Sequence, residues 1–470
     1  MDREQCHREL QALVGAEALL SDSAAIAPLL TDHRGLYHGR ALAVALPRTV
    51  QQIMQIMQWC NRHRVGVVPQ GGNTGYCGGA TPDESGQQLL LGLSRLNRIR
   101  AVDADNFSIT AEAGCVLAQV QQAAAQAQRY FPLSLGSEGS CQIGGNLATN
   151  AGGLNVLRYG MTRELVLGIE AVLPDGSLMQ ELKSLRKDNT GYDLKSLLIG
   201  SEGTLAVITA ATLKLWPAQA SSATAFVGLE CPEDAIALLG QLRAQAADRL
   251  SSFELLPRIA IELATRRIAG VSDPLTHAFP WYVLCELTSA AAEPLDGLLQ
   301  EALALAIEQG RARDAALATS ESVRAAFWRL RETVPEAQRL VGISLKHDIS
   351  VPIIALPAFI RTASEWVQQH VPEALLVVYG HAGDGNLHFN VNCTGDAPAR
   401  SSFLAREPLI RRALYDLVSR FQGSISAEHG IGRLKREELA QYADPAALVA
   451  MRAIKRALDP NGIMNPGKVL

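Results

Sequence analysis

The sequence predicts an α+β protein built from more than one domain, and three of its features carry that reading. Its 470 residues exceed the ~150-residue size of a common single domain, so two or three hydrophobic cores are expected. Residues 41–70 read strand, helix, strand, which is an α/β opening. Residues 374–393 set two apolar runs on either side of Asp384-Gly385, a turn pair that favours an antiparallel hairpin.

Taken in order, residues 1–30 form a polar helical lead-in, and ALAVALP at 41–47 is a strand stopped by proline. From 49 to 63, Val50, Ile53, Met54, Ile56, Met57 and Cys60 recur at helical spacing behind Thr49, whose hydroxyl suits an N-cap. VGVVPQ at 65–70 returns to strand. Further strands are expected at 88–93, 107–112, 166–173 and 204–215, with an Ala/Gln-rich helix at 116–128. Trp216 and Pro217 end the last strand, which puts a boundary near 217 and divides the chain into 1–217, 218–425 and 426–470. Beyond that boundary strands and helices alternate, with long helical stretches at 233–249 and 297–325.

Hydrophobic residues make up 48% and charged residues 19% of the chain, enough apolar surface for those cores and too little charge for disorder. With 43 Lys and Arg against 47 Asp and Glu, the net charge of -4 offers no general field for nucleic acid or anionic lipid. The segment MDREQCHREL is charged where a secretory leader is apolar, and no run approaches the ~20 apolar residues of a membrane span. The cytoplasm is the expected compartment. Eight cysteines stand singly without CxxC pairs, as reduced packing residues do.

Three Gly-rich segments punctuate the first part: PQGGNTGYCGGA at 69–80, GSEGSCQIGGNLATNAGG at 136–153 and IGSEGTLAVIT at 199–209. Consecutive glycines let backbone N–H groups converge on a pyrophosphate with no side chain between. Any one of these segments reads equally as an ordinary turn; three together point to a dinucleotide. Neither GxGxxG followed by an acidic residue nor GxxxxGK[ST] is present, which disfavours the Rossmann and P-loop folds.

With NPGK at 465–468, these segments resemble the FAD-binding domain of the vanillyl-alcohol oxidase (PCMH-type) superfamily, from about residue 38 to the end. The resemblance implies a PCMH-type FAD-binding domain of two α/β subdomains, then an α+β cap domain with an antiparallel sheet, and a C-terminal segment returning to the flavin. It assigns Pro69, Gly71, Gly72, Asn73, Thr74 and Gly75 to the pyrophosphate, and continues that site through Gly136, Ser137, Ser140, Gly144, Gly145, Asn146, Thr149, Asn150 and Gly152. Glu202, Gly203 and Ile208 are expected over the adenine side, and Asn465 is expected to reach the flavin from the tail. GGNTGYCGG contains no histidine, so non-covalent FAD is expected.

A hairpin turning at Asp384-Gly385 pairs 383 with 386, 382 with 387 and His381 with His388, and places Asn390 on the face of His388. Two imidazoles beside an amide are half a metal site, or a satisfied structural pair. SAEHGIG at 426–432 offers Glu428 as a third ligand, and two His with one Glu suit Zn²⁺ with positions left open for substrate. GHAGDGNLH and AEHG together resemble the C-terminal FAD-linked oxidase domain of the D-lactate and D-2-hydroxyglutarate dehydrogenases. That resemblance implies His381, His388 and Glu428 as metal ligands.

A 2-hydroxy acid chelating such a metal is held for deprotonation by His429 as general base and for hydride transfer from C2 to flavin N5. By the same resemblance Arg331 and Lys346 clamp a distal carboxylate, although Pro335 stands where some members have threonine. The expected reaction is oxidation of D-2-hydroxyglutarate to 2-oxoglutarate, with D-lactate, D-malate or glycolate as alternative substrates. The expected electron acceptor is an electron-transfer flavoprotein or a quinone; the oligomeric state stays open, a homodimer included. A zinc hydrolase leaves the Gly-rich segments without a ligand, and a non-catalytic flavin-binding sensor or subunit leaves the base and cations without a task.

Overall fold

The structure is a computed structural model that describes residues 3–470. The chain folds as two compact units, one formed by Met1–Gly153, Gly160–Ala218 and Glu428–Leu470, the other by Leu154–Tyr159 and Gln219–Ala427.

The first unit holds two main sheets. In the four-stranded one, Ala43–Ala45 and Gly66–Gln70 both run parallel to Gln88–Gly92, and Leu19–Leu20 adds an antiparallel edge. The connecting helix Val50–His63 starts with a capping box, Thr49 receiving Gln52 N while the Gln52 side chain receives Thr49 N. Its apolar stripe of Ile53, Ile56, Met57 and Cys60 is fully buried. The second sheet has five antiparallel strands in the order Ile99–Asp103, Ser108–Glu112, Val207–Lys214, Val166–Val172, Leu178–Glu181. The tail returns to the first sheet: Val67 N donates to Ile463 O at 2.7 Å and Asn465 N to Val67 O at 2.7 Å.

The second unit also holds two sheets. One is antiparallel in the order Leu250–Pro257, Trp281–Ser289, Ser221–Leu229, Asp314–Leu317, and the other orders Ile343–Ser350, Asn386–Cys393, Leu375–Tyr379. The helix Glu321–Arg339 packs Leu330, Val334 and Ala337 against Leu256, Val377 and Tyr379 of these sheets in one apolar cluster. The helical stretch expected at 297–325 is broken in two. Leu295–Glu308 ends before Gly310, whose φ of 71° suits glycine after a helix, and Asp314–Leu317 then pairs as an edge strand with Ser221–Leu229. The Ala-rich composition there satisfies either state, and tertiary pairing decides it.

Lys468 in the tail is almost fully buried, and desolvation pulls its ammonium down to about 8 against the opposing effect of Asp83. A lysine depressed in this way penalises the charged folded state at neutral pH, and the penalty fades as pH rises from about 8 towards 10.5. Lys468→Met is therefore expected to stabilise the protein at neutral pH by on the order of 1–3 kcal/mol. In urea unfolding, its advantage over the parent should shrink between pH 8 and 10.5.

Candidate active site

In the first unit the Gly-rich segments converge on one cleft. Its walls come from 69–81, 142–149 and 201–208, and it encloses about 1010 Å³ of free space counting the open mouth. The middle wall is helical rather than loop: Ile143–Thr149 forms a short helix because Ile143 and Leu147, four apart, are both buried beneath it. Gly72 lies where two segments nearly touch, since a Cβ there would sit 2.3 Å from the Ser140 carbonyl oxygen. Gly145 is the opposite case: it lines the cleft and a Cβ on it would meet nothing within 4 Å.

Of the residues that the resemblance assigns to FAD, Pro69, Gly71, Gly72, Asn73, Thr74, Gly75, Gly144, Gly145, Asn146, Thr149, Glu202, Gly203 and Ile208 line this cleft. Six lie outside its lining. Gly136 and Ser140 are exposed, and the Ser137 carbonyl closes a turn by accepting from Ser140 N at 2.9 Å and Cys141 N at 2.8 Å. Asn150 ends the short helix at φ 50° and accepts from Arg163 N at 2.8 Å, and Gly152 is buried just beyond it. Asn465 stands behind the wall, where its Nδ2 donates to Gly79 O at 2.9 Å and Glu202 O at 2.7 Å.

The cleft fits a dinucleotide on its own evidence. Gln142 Oε1 and Thr81 Oγ1, two lining groups the sequence did not single out, are buried without a hydrogen-bond partner, a state that protein interiors avoid unless a ligand completes it. Gly75 and Gly145, where an added Cβ would meet nothing within 4 Å, leave open space in the same lining.

His429 also lines the cleft. Tyr76 packs its ring edge-on against the imidazole, centroids 4.7 Å apart, and Glu428 Oε1 lies 3.6 Å from His429 Nε2. Burial, with Glu428 adding to it, pushes the Tyr76 phenol above its ordinary value, so it stays neutral. The segment after His429 is held by Glu202, whose carboxylate accepts Ile431 N and Gly432 N, each at 2.7 Å. Desolvation raises the Glu202 carboxyl despite those two bonds. The side chain expected over the adenine side thus anchors the segment that carries His429.

In the second unit the hairpin register differs from the expected one. Tyr379, not His381, stands opposite His388, and Val377 opposite Asn390, so the connection spans six residues, 380–385. The cause is a competing strand. Gly380 exchanges two hydrogen bonds with Leu255, at 2.8 and 3.0 Å, and Gly383 N donates to Phe253 O at 3.2 Å, drawing the chain away before a tight turn can close. A slip of two preserves the side-chain face, and the His381 and His388 rings still meet, centroids 5.5 Å apart and planes at 78°.

The strand Ile343–Ser350 pairs Lys346 with Asn390 and Asp348 with His388, which puts all four side chains on one sheet face. Asp348 Oδ1 lies 4.0 Å from His388 Nδ1 and accepts from Asn386 Nδ2 at 2.9 Å. Asn390 Nδ2 donates to Gln338 Oε1 at 3.1 Å. Lys346 is exposed, while Arg331 is 5% exposed with its guanidinium 4.8 Å over the Tyr379 ring. Beneath them lies Glu254, which the sequence reading missed: it accepts from Arg331 Nε at 2.7 Å and lies 2.5 Å from His381 Nδ1. Burial pushes its carboxyl up, but the charges and hydrogen bonds of His381 and Arg331 outweigh burial and hold it at about 2. One signal was available, a lone charge within the apolar strand Leu250–Pro257, because glutamate is almost never sealed in a core without a partner. The donor set of this face, two imidazoles with carboxylates nearby, suits a borderline cation such as Zn²⁺.

The cleft yields a prediction. Gly145→Leu fills it from a helical position whose Cβ meets no protein atom within 4 Å, so the variant should fold with the melting temperature of the flavin-stripped parent yet be purified with less than about a tenth of the parent's flavin, since even ~1.4 kcal/mol of lost affinity is tenfold. The 450 nm to 280 nm absorbance ratio reads this, and parent-like flavin in Gly145→Leu would remove the cleft as the cofactor site.

Residues 41–180 match the family model described as FAD binding domain, and residues 218–469 the one described as FAD linked oxidases, C-terminal domain. A probable mitochondrial D-2-hydroxyglutarate dehydrogenase of Oryza sativa subsp. japonica is 38% identical over 464 residues, 98% of this chain and 80% of the rice protein. The D-2-hydroxyglutarate dehydrogenase of Xanthomonas citri pv. viticola is 36% identical over 460 residues, 98% of this chain and 96% of its own. Among solved structures, p-cresol methylhydroxylase with substrate bound superimposes with a TM-score of 0.77 at 16% identity, covering 99% of this chain and 96% of that one, which establishes the PCMH-type fold. No helix among the described residues is long and apolar enough to cross a membrane. Because the oxidase model alone spans more than half of the sequence, this chain belongs to the FAD-linked oxidases and is an oxidoreductase of the group that contains the D-2-hydroxyglutarate dehydrogenases.

Proposed function

We propose that this chain oxidises D-2-hydroxy acids to 2-oxo acids, with D-2-hydroxyglutarate preferred, using non-covalent FAD in the cleft of the first unit and a divalent cation, zinc in particular, held by His381, His388 and Glu428. The reading rests on one sheet face in the second unit, where paired imidazoles, an amide and two cations are gathered. A ligand that satisfies such a face carries a chelating end and a second carboxylate, which is the chemistry of a hydroxy diacid.

When bound, FAD accepts the hydride from C2 and the cation acidifies the substrate hydroxyl. Glu428 follows by four residues Ser424, which exchanges hydrogen bonds of 2.8 and 3.0 Å with Ser350 of the histidine sheet. His429, lining the flavin cleft and braced by Tyr76, takes the hydroxyl proton as general base. Arg331 offers a planar fork and Lys346 a point charge to the distal carboxylate. Pro335, one turn after Arg331 within the helix Glu321–Arg339, has neither hydroxyl nor N–H to add, so those two cations carry diacid recognition. Electrons then pass to a separate acceptor of the electron-transfer flavoprotein or quinone class, in keeping with the dehydrogenase names of the relatives.

Anaerobic mixing tests the proposal. D-2-hydroxyglutarate should bleach the flavin band and its L-enantiomer should not; chelation should slow bleaching by at least about 100-fold and added zinc restore it, as loss of a Lewis acid worth several kcal/mol requires. Flavin-loaded protein that no D-2-hydroxy acid reduces would refute it. Lys346→Met, a change at an exposed side chain, should raise KM for D-2-hydroxyglutarate by about 10-fold or more, the worth of one charge-assisted hydrogen bond, and leave D-lactate within about twofold.

A further inference from the structure

Glu254 belongs to neither of the groups expected to touch ligand, yet it joins them. It sits on the edge strand Leu250–Pro257 with its side chain 1% exposed. One carboxylate oxygen lies 2.5 Å from His381 Nδ1 and the other accepts from Arg331 Nε at 2.7 Å. A buried carboxylate on Nδ1 selects the tautomer that carries its proton there, which leaves the Nε2 lone pair for a cation and fixes the plane of the ring. The same carboxylate uses the inner donor of a guanidinium that offers five, and the Tyr379 ring lies 4.8 Å from that group. The strand carrying Glu254 is itself pinned to the His381 loop through the Leu255–Gly380 pair of hydrogen bonds. Nothing in this arrangement is needed for packing alone: an apolar residue of similar volume would satisfy the core without the desolvation cost of a charge.

We propose that Glu254 is a positioning residue that couples the metal-ligating histidine to the arginine recognising the distal carboxylate, so that cation affinity and diacid affinity depend on one buried group. The proposal rests on the metal assignment of the preceding subsection. Its consequence is a double phenotype from a residue that touches neither ligand. Glu254→Gln keeps the size but removes the charge and turns one of the two acceptor oxygens into an amide donor, so it no longer enforces the tautomer.

The experiment uses the flavin-loaded full chain and zinc alone, with affinity read by competition against a chromophoric chelator. Glu254→Gln should bind zinc about 10- to 100-fold more weakly than the parent with an unchanged flavin content. At zinc concentrations that restore kcat, its KM for D-2-hydroxyglutarate should stay at least about 5-fold high, equivalent to ~1 kcal/mol, while that for D-lactate returns to the parent value. A second measurement needs no variant of Glu254 and so does not depend on its folding: in the zinc-loaded parent, the ¹⁵N shifts of the His381 ring, assigned by their loss in His381→Gln, should show the proton on Nδ1. Zinc affinity within twofold of the parent in Glu254→Gln, or a proton on Nε2 in the parent, overturns the proposal while leaving the metal assignment standing if His381→Gln itself loses zinc. Parent-like zinc affinity in His381→Gln would instead remove the metal assignment, and the coupling with it.

Discussion

A carboxylate withdrawn from water has to be met by donors on both oxygens, and this condition organises the functional parts of both units. In the second unit Glu254 is met by His381 and Arg331. The side chains that face it outweigh the burial that would otherwise keep it protonated. In the first unit Glu202 is met by the backbone N–H groups of Ile431 and Gly432. There the donors are neutral, and desolvation keeps the upper hand. The difference matches the tasks. A charged carboxylate orients titratable partners, whereas a carboxylate on peptide groups fixes the path of a segment, in this case the one immediately following His429.

The polar sheet face of the second unit shows how strand pairing assembles a site from distant sequence. Lys346, Asp348, His388 and Asn390 come from two strands about forty residues apart, and opposition across the ladder puts them side by side. The third strand contributes Tyr379, which carries Arg331 on its ring and stands beside His388, centroids 5.1 Å apart. A cation stacked on an aromatic face and anchored from below by a carboxylate loses little further freedom when it binds an anion.

Much of this was legible in the sequence. Helical spacing behind Thr49, the apolar strands of the first unit and the glycine-rich cleft follow from local rules, and the capping box and buried stripe match them in detail. The hairpin histidines were legible as a pair, but not their register. Asp384-Gly385 favours a two-residue turn locally, and the decisive partner, Leu255, lies more than a hundred residues away. The helix expected across 297–325 failed for the same reason: pairing with Ser221–Leu229 claims 314–317, whose alanines are content in either state. Glu254 was the most costly omission. A single acidic letter in an apolar strand has no spacing pattern around it, and its meaning emerges only when His381 and Arg331 arrive from elsewhere in the chain.

The parallel strand Gly66–Gln70 gains its outer neighbour from Ile463, Met464 and Asn465, nearly four hundred residues further along. During synthesis that edge must wait, unpaired, while the whole of the inserted unit is made. Contacts of such sequence separation are slow to form and leave an open sheet margin exposed in the meantime. The nascent chain therefore completes this sheet last, and a ribosome stalled anywhere within the insertion would hold a partly finished sheet, a natural client for chaperones.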